Sequence, residues 1–142
     1  MKRILMPLMI LTLWLGCTTT LTAQTAEPIT KTFNVSWERA WLVTESVLKS
    51  LGWDIDEKDK AVGWIRTDSR GVEFKDYGVY GEGTRHRLRL TLKAVGEGRT
   101  SVSVERELYK EERILFWKDR KPLHAQDKSV ETAVLSAIER AL

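Results

Sequence analysis

The sequence predicts an α+β domain, in which an antiparallel sheet of about five strands packs on one amphipathic helix and a second helix ends the chain. Three observations predict this class. Apolar residues recur every three or four positions from Ser36 to Gly52, which is the period of a helix that lies on a core. Alternation with a period of two marks strands on both sides of that helix. Helical spacing returns over residues 127–142, so the predicted order is β-α-β-β-β-β-α.

The first helix has a start, an apolar face and an end. Ser36 is suited to accept a hydrogen bond from a free N–H group of the first turn, and Gly52 suits a left-handed closing residue. Two tryptophans on one turn bury a large area, which makes this face a nucleus of the core. The predicted apolar stripe consists of Trp37, Ala40, Trp41, Thr44, Val47, Leu48 and Leu51.

Strands are predicted before and directly after this helix. Residues 29–35 alternate apolar and polar side chains, and so does the segment that begins at Trp53. The charged run 57–60 is typical of a solvated turn, and it leads into a strand over 62–67. These segments supply three of the strands.

The clearest strand pair lies on either side of Gly96-Glu97-Gly98. Before this turn, alternate residues from Leu88 to Ala94 are apolar and we expect them to face the core; Val102 and Val104 do the same after it. The other side of the first strand carries Arg85, Arg87, Arg89, Thr91 and Lys93.

The arginines of this strand alone would suggest a reader of phosphate or acidic glycan. The predicted register places Glu105 and Glu107 across from Arg87 and Arg89, or one pair removed, so the charges neutralise each other. We therefore favour a structural role for this row over an anion site.

The final helix begins at Asp127 or Ser129, either of which suits a capping position. Its predicted apolar face is built largely of small residues that allow close packing on the sheet or on the first helix. The face consists of Val130, Ala133, Val134, Ala137, Ile138 and Ala141.

Composition bounds the function further. The 142 residues suffice for one domain, and the formal net charge of +3 falls to +1 without Lys2 and Arg3, so no nucleic-acid partner is expected. The single cysteine, Cys17, excludes an internal disulfide. Neither His86 nor His124 belongs to a metal-ligand spacing, and no catalytic arrangement is recognisable, so we expect no metal, no cofactor and no enzymatic activity.

The start of the chain has the layout of a secretory signal. Lys2 and Arg3 precede an apolar run over residues 4–16, which as a helix would span about 20 Å and fall short of the roughly 30 Å hydrocarbon layer. The end of this run, Leu13-Trp14-Leu15-Gly16-Cys17, resembles the lipobox of bacterial lipoproteins. That resemblance implies a signal peptide over 1–16, acylation of Cys17, a flexible tether over 17–28, and a single domain over 29–142. The alternative is cleavage after Ala23, which would discard Cys17.

Two stretches, one rich in glycine and one rich in basic residues, are predicted to have no regular secondary structure. Residues 70–84 carry Tyr77 and Tyr80 among four glycines, and residues 109–125 carry aromatic and basic side chains. The first leads into the Arg85 strand and the second leaves its antiparallel partner, so we expect both at one end of the hairpin. The predicted partner-binding residues are Tyr77, Tyr80, Phe116, Trp117, Lys118, Arg120 and Lys121. An equally weighted alternative has Phe74, Ile114, Leu115 and Phe116 folding back to cap the open edge of the sheet.

A family resemblance adds to this interpretation. Its residues are Trp37-Glu38-Arg39-Ala40-Trp41, Leu48, Leu51-Gly52, Ile55, Asp59 and Gly63. They resemble the repeated domain of BamC-type outer-membrane lipoproteins, most clearly over residues 33–72. The resemblance implies a helix-grip fold, an outer-membrane lipid anchor facing the periplasm, and a role as an accessory in the assembly of outer-membrane β-barrels.

Two functions follow as hypotheses. The first is a lipid-anchored module that binds an envelope protein through the two irregular stretches. The second is a carrier or sensor of a lipid or other apolar ligand, held beside Trp37 and Trp41 in a cavity between helix and sheet.

Overall fold

The computed structural model describes residues 27–142, so the predictions for the signal segment 1–16, for Cys17 and for residues 18–26 lie outside the described part. The described chain is an α+β structure with two helices and a seven-stranded antiparallel sheet, where about five strands were predicted. Its elements are β1 (Ile29–Phe33), α1 (Trp37–Ser50), β2 (Ile55–Asp59), β3 (Trp64–Thr67), β4 (Arg70–Asp76), β5 (Tyr80–Gly96), β6 (Arg99–Ile114), β7 (Trp117–Leu123) and α2 (Ser129–Ala141).

The long β5–β6 hairpin organises the sheet, because its strands have 17 and 16 residues. Near the 96–99 turn, the hairpin is flanked by β1 on one side and by β3 and β2 on the other, in the order β1-β6-β5-β3-β2. Further along, β4 pairs with β5 and β7 pairs with β6. We call the first part the core half and the second part, residues 70–86 and 108–123, the arm.

Helix α1 confirms the sequence prediction. The Ser36 hydroxyl accepts a hydrogen bond from the backbone N–H of Arg39 at 3.4 Å, and Gly52 adopts a φ of 81° just beyond the helix. Trp41 is 2% exposed and stacks on the half-buried Trp37 with ring centroids 5.3 Å apart. Leu51, which was expected on the buried stripe, is exposed because the helix has already ended at Ser50.

The core lies between the helices and the core half of the sheet. Leu88, Leu90 and Leu92 are buried on β5, with Val102 and Val104 beside them on β6. Because β5 alternates as predicted, its arginines face away from this core. Ala94, which was expected to be buried, is exposed near the end of the hairpin.

The predicted register of the charged side chains is confirmed. Arg87 pairs with Glu107 and Arg89 with Glu105 across β5 and β6, and the Arg87 guanidinium bonds the Glu107 carboxylate directly. Glu107 forms ion pairs with Arg87 and, at 3.9 Å, with Arg89, and Arg85 lies 4.0 Å from Glu111, so carboxylates neutralise the arginine row. This supports the structural interpretation of the row.

Helix α2 begins where it was predicted, but its buried face is rotated. The Asp127 carboxylate accepts a hydrogen bond from the backbone N–H of Ser129 at 2.9 Å, whereas Lys128 occupies the capping position. Ala133 is exposed, while Glu131 and Leu135, which the spacing of the small residues had left out, are buried. The face therefore includes larger side chains than the small residues that were predicted.

The two stretches that were predicted to be irregular are mostly strands. Residues 70–84 contain β4 and the start of β5, and residues 109–125 contain the end of β6 and all of β7. They form two further hairpins that lengthen the sheet. No helix within residues 27–142 is both long enough and apolar enough to cross a membrane.

Candidate functional site

Two tight turns meet at the far end of the arm. Residues 77–79 connect β4 to β5, and Leu115 and Phe116 connect β6 to β7. Tyr80 pairs with Ile114, and Ile114 pairs with Trp117, so both turns lie at the same end of the sheet. The predicted co-location of the two segments is therefore correct, although they are hairpins and not loops. We call residues 77–80 and 114–117 the distal tip.

The distal tip exposes an unusual number of large apolar side chains. Phe116 is 98% exposed and Trp117 is 75% exposed. The other members that are more than half exposed are Tyr77, Val79, Ile114 and Leu115. Hairpin turns normally use Gly, Asn or Asp, because these residues suit the backbone and water. A turn made of Leu and Phe is costly in water, and such contiguous exposure is typical of an interaction surface.

One backbone hydrogen bond joins the two turns, and another closes the first turn. The N–H of Leu115 donates to the carbonyl of Val79 at 2.6 Å, and the N–H of Tyr77 donates to the carbonyl of Tyr80 at 2.7 Å. Leu115 has a φ of 54°, a conformation that is strained for a residue with a side chain. The tip keeps this strained conformation because its backbone is fixed on both sides.

Polar side chains brace the first turn. The Asp76 carboxylate accepts hydrogen bonds from the N–H of Gly78 at 2.9 Å and from Arg113, and Arg113 also donates to the carbonyl of Gly78 at 3.0 Å. The Gly78 N–H and the Arg113 cation lower the pKa of Asp76. Tyr77 stacks on Tyr80, with ring centroids 6.1 Å apart.

The Tyr80 side chain also forms a hydrogen bond to a residue of its own strand, β5. Its hydroxyl donates to Glu82 Oε2 at 2.7 Å, and this bond raises the pKa of Tyr80 to about 12. The bond holds the ring in place on β5, which suits a rigid aromatic contact.

Glycines on β5 explain why the 70–84 segment pairs as a strand. A Cβ at Gly81 would lie 2.9 Å from the Phe74 ring, and one at Gly83 would lie 1.9 Å from the Glu73 carbonyl. The Phe74 ring covers this glycine backbone, and the Arg85 guanidinium lies 4.7 Å from its centroid. Because Gly81 and Gly83 have no side chain, β4 can approach β5 closely enough to pair with it.

The outer face of the arm, opposite the helices, is a network of paired charges. Glu111 is only 3% exposed, and its carboxylate accepts a hydrogen bond from Arg120 at 2.7 Å and lies 4.0 Å from Arg85. Arg85 also donates to the Ser69 carbonyl at 2.7 Å, and the Ser69 hydroxyl bonds the Tyr109 hydroxyl. A shallow groove of about 350 Å³ lies over this network. Since its central carboxylate is already paired with cations, the network braces the arm.

The predicted partner-binding residues divide into separate surfaces. Tyr77, Tyr80, Phe116 and Trp117 lie in the distal tip. Lys118 and Arg120 lie on the outer face, next to Arg113 and Glu111, whereas Lys121 lies on the opposite face beside Lys110. The sequence interpretation missed Val79, and it placed Ile114 and Leu115 only in the capping alternative, whereas both are more than half exposed. Their signal was the presence of apolar residues where the chain has to turn.

The tryptophans of the second hypothesis form part of the core packing. Trp41 is buried, and the Trp37 indole N–H lies 3.4 Å from the carbonyl of Leu92, towards which it donates. Their rings stack on each other, so protein atoms fill the space beside them. The packing of these two rings therefore adds no support for a ligand cavity there.

His86 lies where the arm meets the core. Its Nδ1 accepts a hydrogen bond from Arg106 Nε at 2.9 Å, and its ring meets the edge of Trp53. Burial and the neighbouring cations Arg106 and Arg70 lower the pKa of His86. Within residues 27–142, His, Cys, Asp and Glu side chains form no group of three or more that could hold a metal ion.

Comparisons with known proteins do not assign a family. A scan against protein-family models found no match, and a search of curated proteins found no related sequence.

Proposed function

We propose that this chain is a lipid-anchored interaction domain on the periplasmic side of the outer membrane, which docks an envelope protein through the distal tip. Docking, without catalysis, is the activity. The observation that carries the proposal is the pair of hydrogen-bonded hairpin turns whose exposed side chains are apolar, with Phe116 at 98% exposure.

Physical chemistry favours docking by this surface. Large aromatic side chains that become buried at an interface supply most of its binding free energy, and they act best when held rigidly before binding. Phe116 and Trp117 meet this requirement, since the turn that carries them is fixed by its bond to Val79. Lys118 and Arg120 flank the tip on the outer face, where Lys118 could contact a carboxylate of the partner.

The anchor and the fold family complete the proposal. Acylated Cys17 would hold the chain to the membrane, and residues 17–28 would reach at most about 40 Å when fully extended. The packing of α1 and α2 on one face of the sheet supports a helix-grip arrangement of the BamC type. On that resemblance, the partner would belong to the machinery that assembles outer-membrane proteins.

Photocrosslinking from the distal tip tests the proposal. A photoreactive residue replaces Phe116 in the full chain, expressed in intact bacterial cells. A matched probe replaces Val62, which is 68% exposed and lies in the β2–β3 turn, beside the core half. Docking through the tip predicts a discrete crosslinked protein band from position 116 and none from position 62.

Two outcomes would contradict the proposal. Equal crosslinking from both positions would mean that the tip has no preference for a partner. A Phe116 probe that labels no protein while the chain is correctly anchored would also refute it. Replacing Trp117 with Ala in the Phe116-probe chain should reduce the band several-fold, because an anchor residue is lost.

A further inference from the structure

The arm has a second unusual surface, which is the face that continues the core side of the sheet. Even-numbered residues of β5 and β6 point to the helices in the core half, and the unbroken register carries that face out to Tyr80 and Ile114. The helices pack on β1, β2, β5 and β6, whereas every residue of β7 is exposed. A sheet normally buries one face under another layer, and within residues 27–142 no helix supplies such a layer over β4 and β7.

The side chains of this face form four rows that cross the strands. An apolar row at the tip is followed by a row that is mainly acidic, then by a row that is mainly basic, and finally by a row with two leucines. From the tip inwards, the rows are Tyr80, Ile114 and Trp117; Lys75, Glu82, Glu112 and Asp119; Glu73, Thr84, Lys110 and Lys121; and His86, Leu108 and Leu123.

This order is costly in a single copy. Glu112 lies directly across from Asp119 in one row, and Lys110 lies directly across from Lys121 in the next. Like charges that face each other on neighbouring strands are destabilising. Within residues 27–142, Lys110 and Glu112 belong to none of the ion pairs, although Lys121 reaches Asp119 at 3.8 Å.

We propose that a second copy of this chain covers this face of the arm, around a two-fold axis that runs across the strands between the acidic and basic rows. Such an axis places the acidic row of one copy on the basic row of the other, and the apolar tip row on the leucine row. Each strand then faces itself in reverse. The facing pairs are Glu112 with Lys110, Asp119 with Lys121, Lys75 with Glu73, Ile114 with Leu108, and Trp117 with Leu123.

Charge complementarity is the argument for this occupant. A two-fold interface uses the same patch on both copies, so the patch has to be complementary to its own reversed image. Strands β4, β6 and β7 each carry two oppositely charged residues that are two positions apart, one on each side of the proposed axis. The patch is therefore complementary to its own reversed image. Sheets that pack face to face lie about 10 Å apart, a gap that Lys and Glu side chains can bridge.

This pairing goes beyond the proposed function. It uses the face of the arm, while the turn residues Tyr77, Val79, Leu115 and Phe116 stay at its end. Tyr80, Ile114 and Trp117 belong to both surfaces, so the test leaves them unchanged.

Charge reversal provides that test, with the full chain in density-matched detergent micelles and sedimentation equilibrium as the measurement. The wild type should dimerise. In a Lys110→Glu dimer, residues 110 and 112 of both copies are carboxylates, so four negative charges meet at the axis. In a Glu112→Lys dimer, the same four positions are cations. Each variant alone should therefore raise the dimer Kd by at least about tenfold. An equimolar mixture should dimerise again, because each variant then complements the other.

Lys118→Glu is the control, since it reverses a charge on the same arm but on its outer face, and it should leave the dimer Kd unchanged. A wild type that stays monomeric at about 100 µM would overturn the inference. So would a mixture that remains as weak as its two components. Crosslinking from Phe116 to a different protein in the Lys110→Glu variant would show that docking at the tip persists when pairing is lost, so the two proposals can fail separately.

Discussion

In the core half of the β5–β6 hairpin, Leu88, Leu90 and Leu92 are buried beneath the helices, whereas Glu82 on the same face of the same strand is exposed in the arm. Backbone pairing is continuous between the two regions. On this face of the hairpin, burial therefore follows the helix layer and not the strand. Apolar packing stabilises the core half, while hydrogen bonds, glycine packing and ion pairs hold the arm.

The comparison between the core half and the arm assigns stability and recognition to different parts of the chain. In the core half, large apolar side chains contact one another and lower the free energy of folding. At the distal tip, side chains of the same type contact water. Two tryptophans make the contrast directly, since Trp41 is 2% exposed and Trp117 is 75% exposed.

Replacing these two tryptophans should give the largest difference. Trp41→Ala should lower the free energy of unfolding by about 3–5 kcal/mol, because it leaves a cavity beside Leu48 and Trp37. In the monomer, Trp117→Ala should change it by no more than about 0.5 kcal/mol, because the Trp117 side chain contacts water there. Denaturant titration measures both. Similar losses in the two variants would remove the distinction between core and tip.

A glycine substitution should sharpen the comparison within the arm. Gly83→Ala forces a Cβ against the Glu73 carbonyl at a φ of 139°, so we expect a loss of about 1–3 kcal/mol. Gly78→Ala, with a φ of 82° and open space around it, isolates the backbone strain and should cost less. Hydrogen exchange should show the Gly83→Ala loss in β4 while protection of Leu88 to Leu92 is retained. Uniform loss would mean that the arm and core unfold together.

Acid should weaken the junction between the two regions through His86. Its pKa in the folded chain is below the ordinary value of 6.5, so the unfolded chain takes up the proton first as the pH falls below that value. The free energy of unfolding should therefore decrease between pH 7.5 and pH 5.5 by more than it does in His86→Gln. The exposed His124→Gln variant is the control and should behave as the wild type. A wild-type slope equal to that of His86→Gln would contradict this role.

The smallest effect should come from the arginine row. A double-mutant cycle on Arg87→Ala and Glu107→Ala should give a coupling free energy of about 0.2–1 kcal/mol, because both groups are partly exposed to water. The same coupling should fall as the salt concentration rises. A coupling of several kcal/mol would show that the pair is a stronger brace than its exposure implies.

The sequence predicted the parts of the fold in which one face is buried. Helix α1 could be located from its Trp37 and Trp41 spacing and from Ser36 and Gly52. The pairing of Arg87 with Glu107 followed from the alternation of Leu88, Leu90 and Leu92 and from the glycine turn. The hydrophobicity of these segments is periodic because one side faces water and the other faces apolar atoms.

The strands of the arm were not predicted because, among residues 27–142, no helix covers either face of β4 or β7. In β6 and β7, charged residues fall on both faces over residues 110–113 and 118–121, so no hydrophobic period marks these strands there. Gly81 and Gly83 read as loop residues, whereas they are the space that the Phe74 ring occupies. The Leu115-Phe116 turn lacked the usual turn residues. The face of α2 was misplaced because Glu131 is buried, although a charged residue is normally assigned to the exposed side.

The most direct test of the account combines stability and docking in one variant. In the full chain, Phe116→Ser and Trp117→Ser are introduced together, with a photoreactive probe at Val79 of the neighbouring turn. The account predicts a free energy of unfolding within about 0.5 kcal/mol of the unsubstituted probe chain, together with loss of the crosslinked protein band. A crosslink of undiminished strength, or a loss of stability comparable to that of Trp41→Ala, would contradict the claim that the distal tip is free for docking.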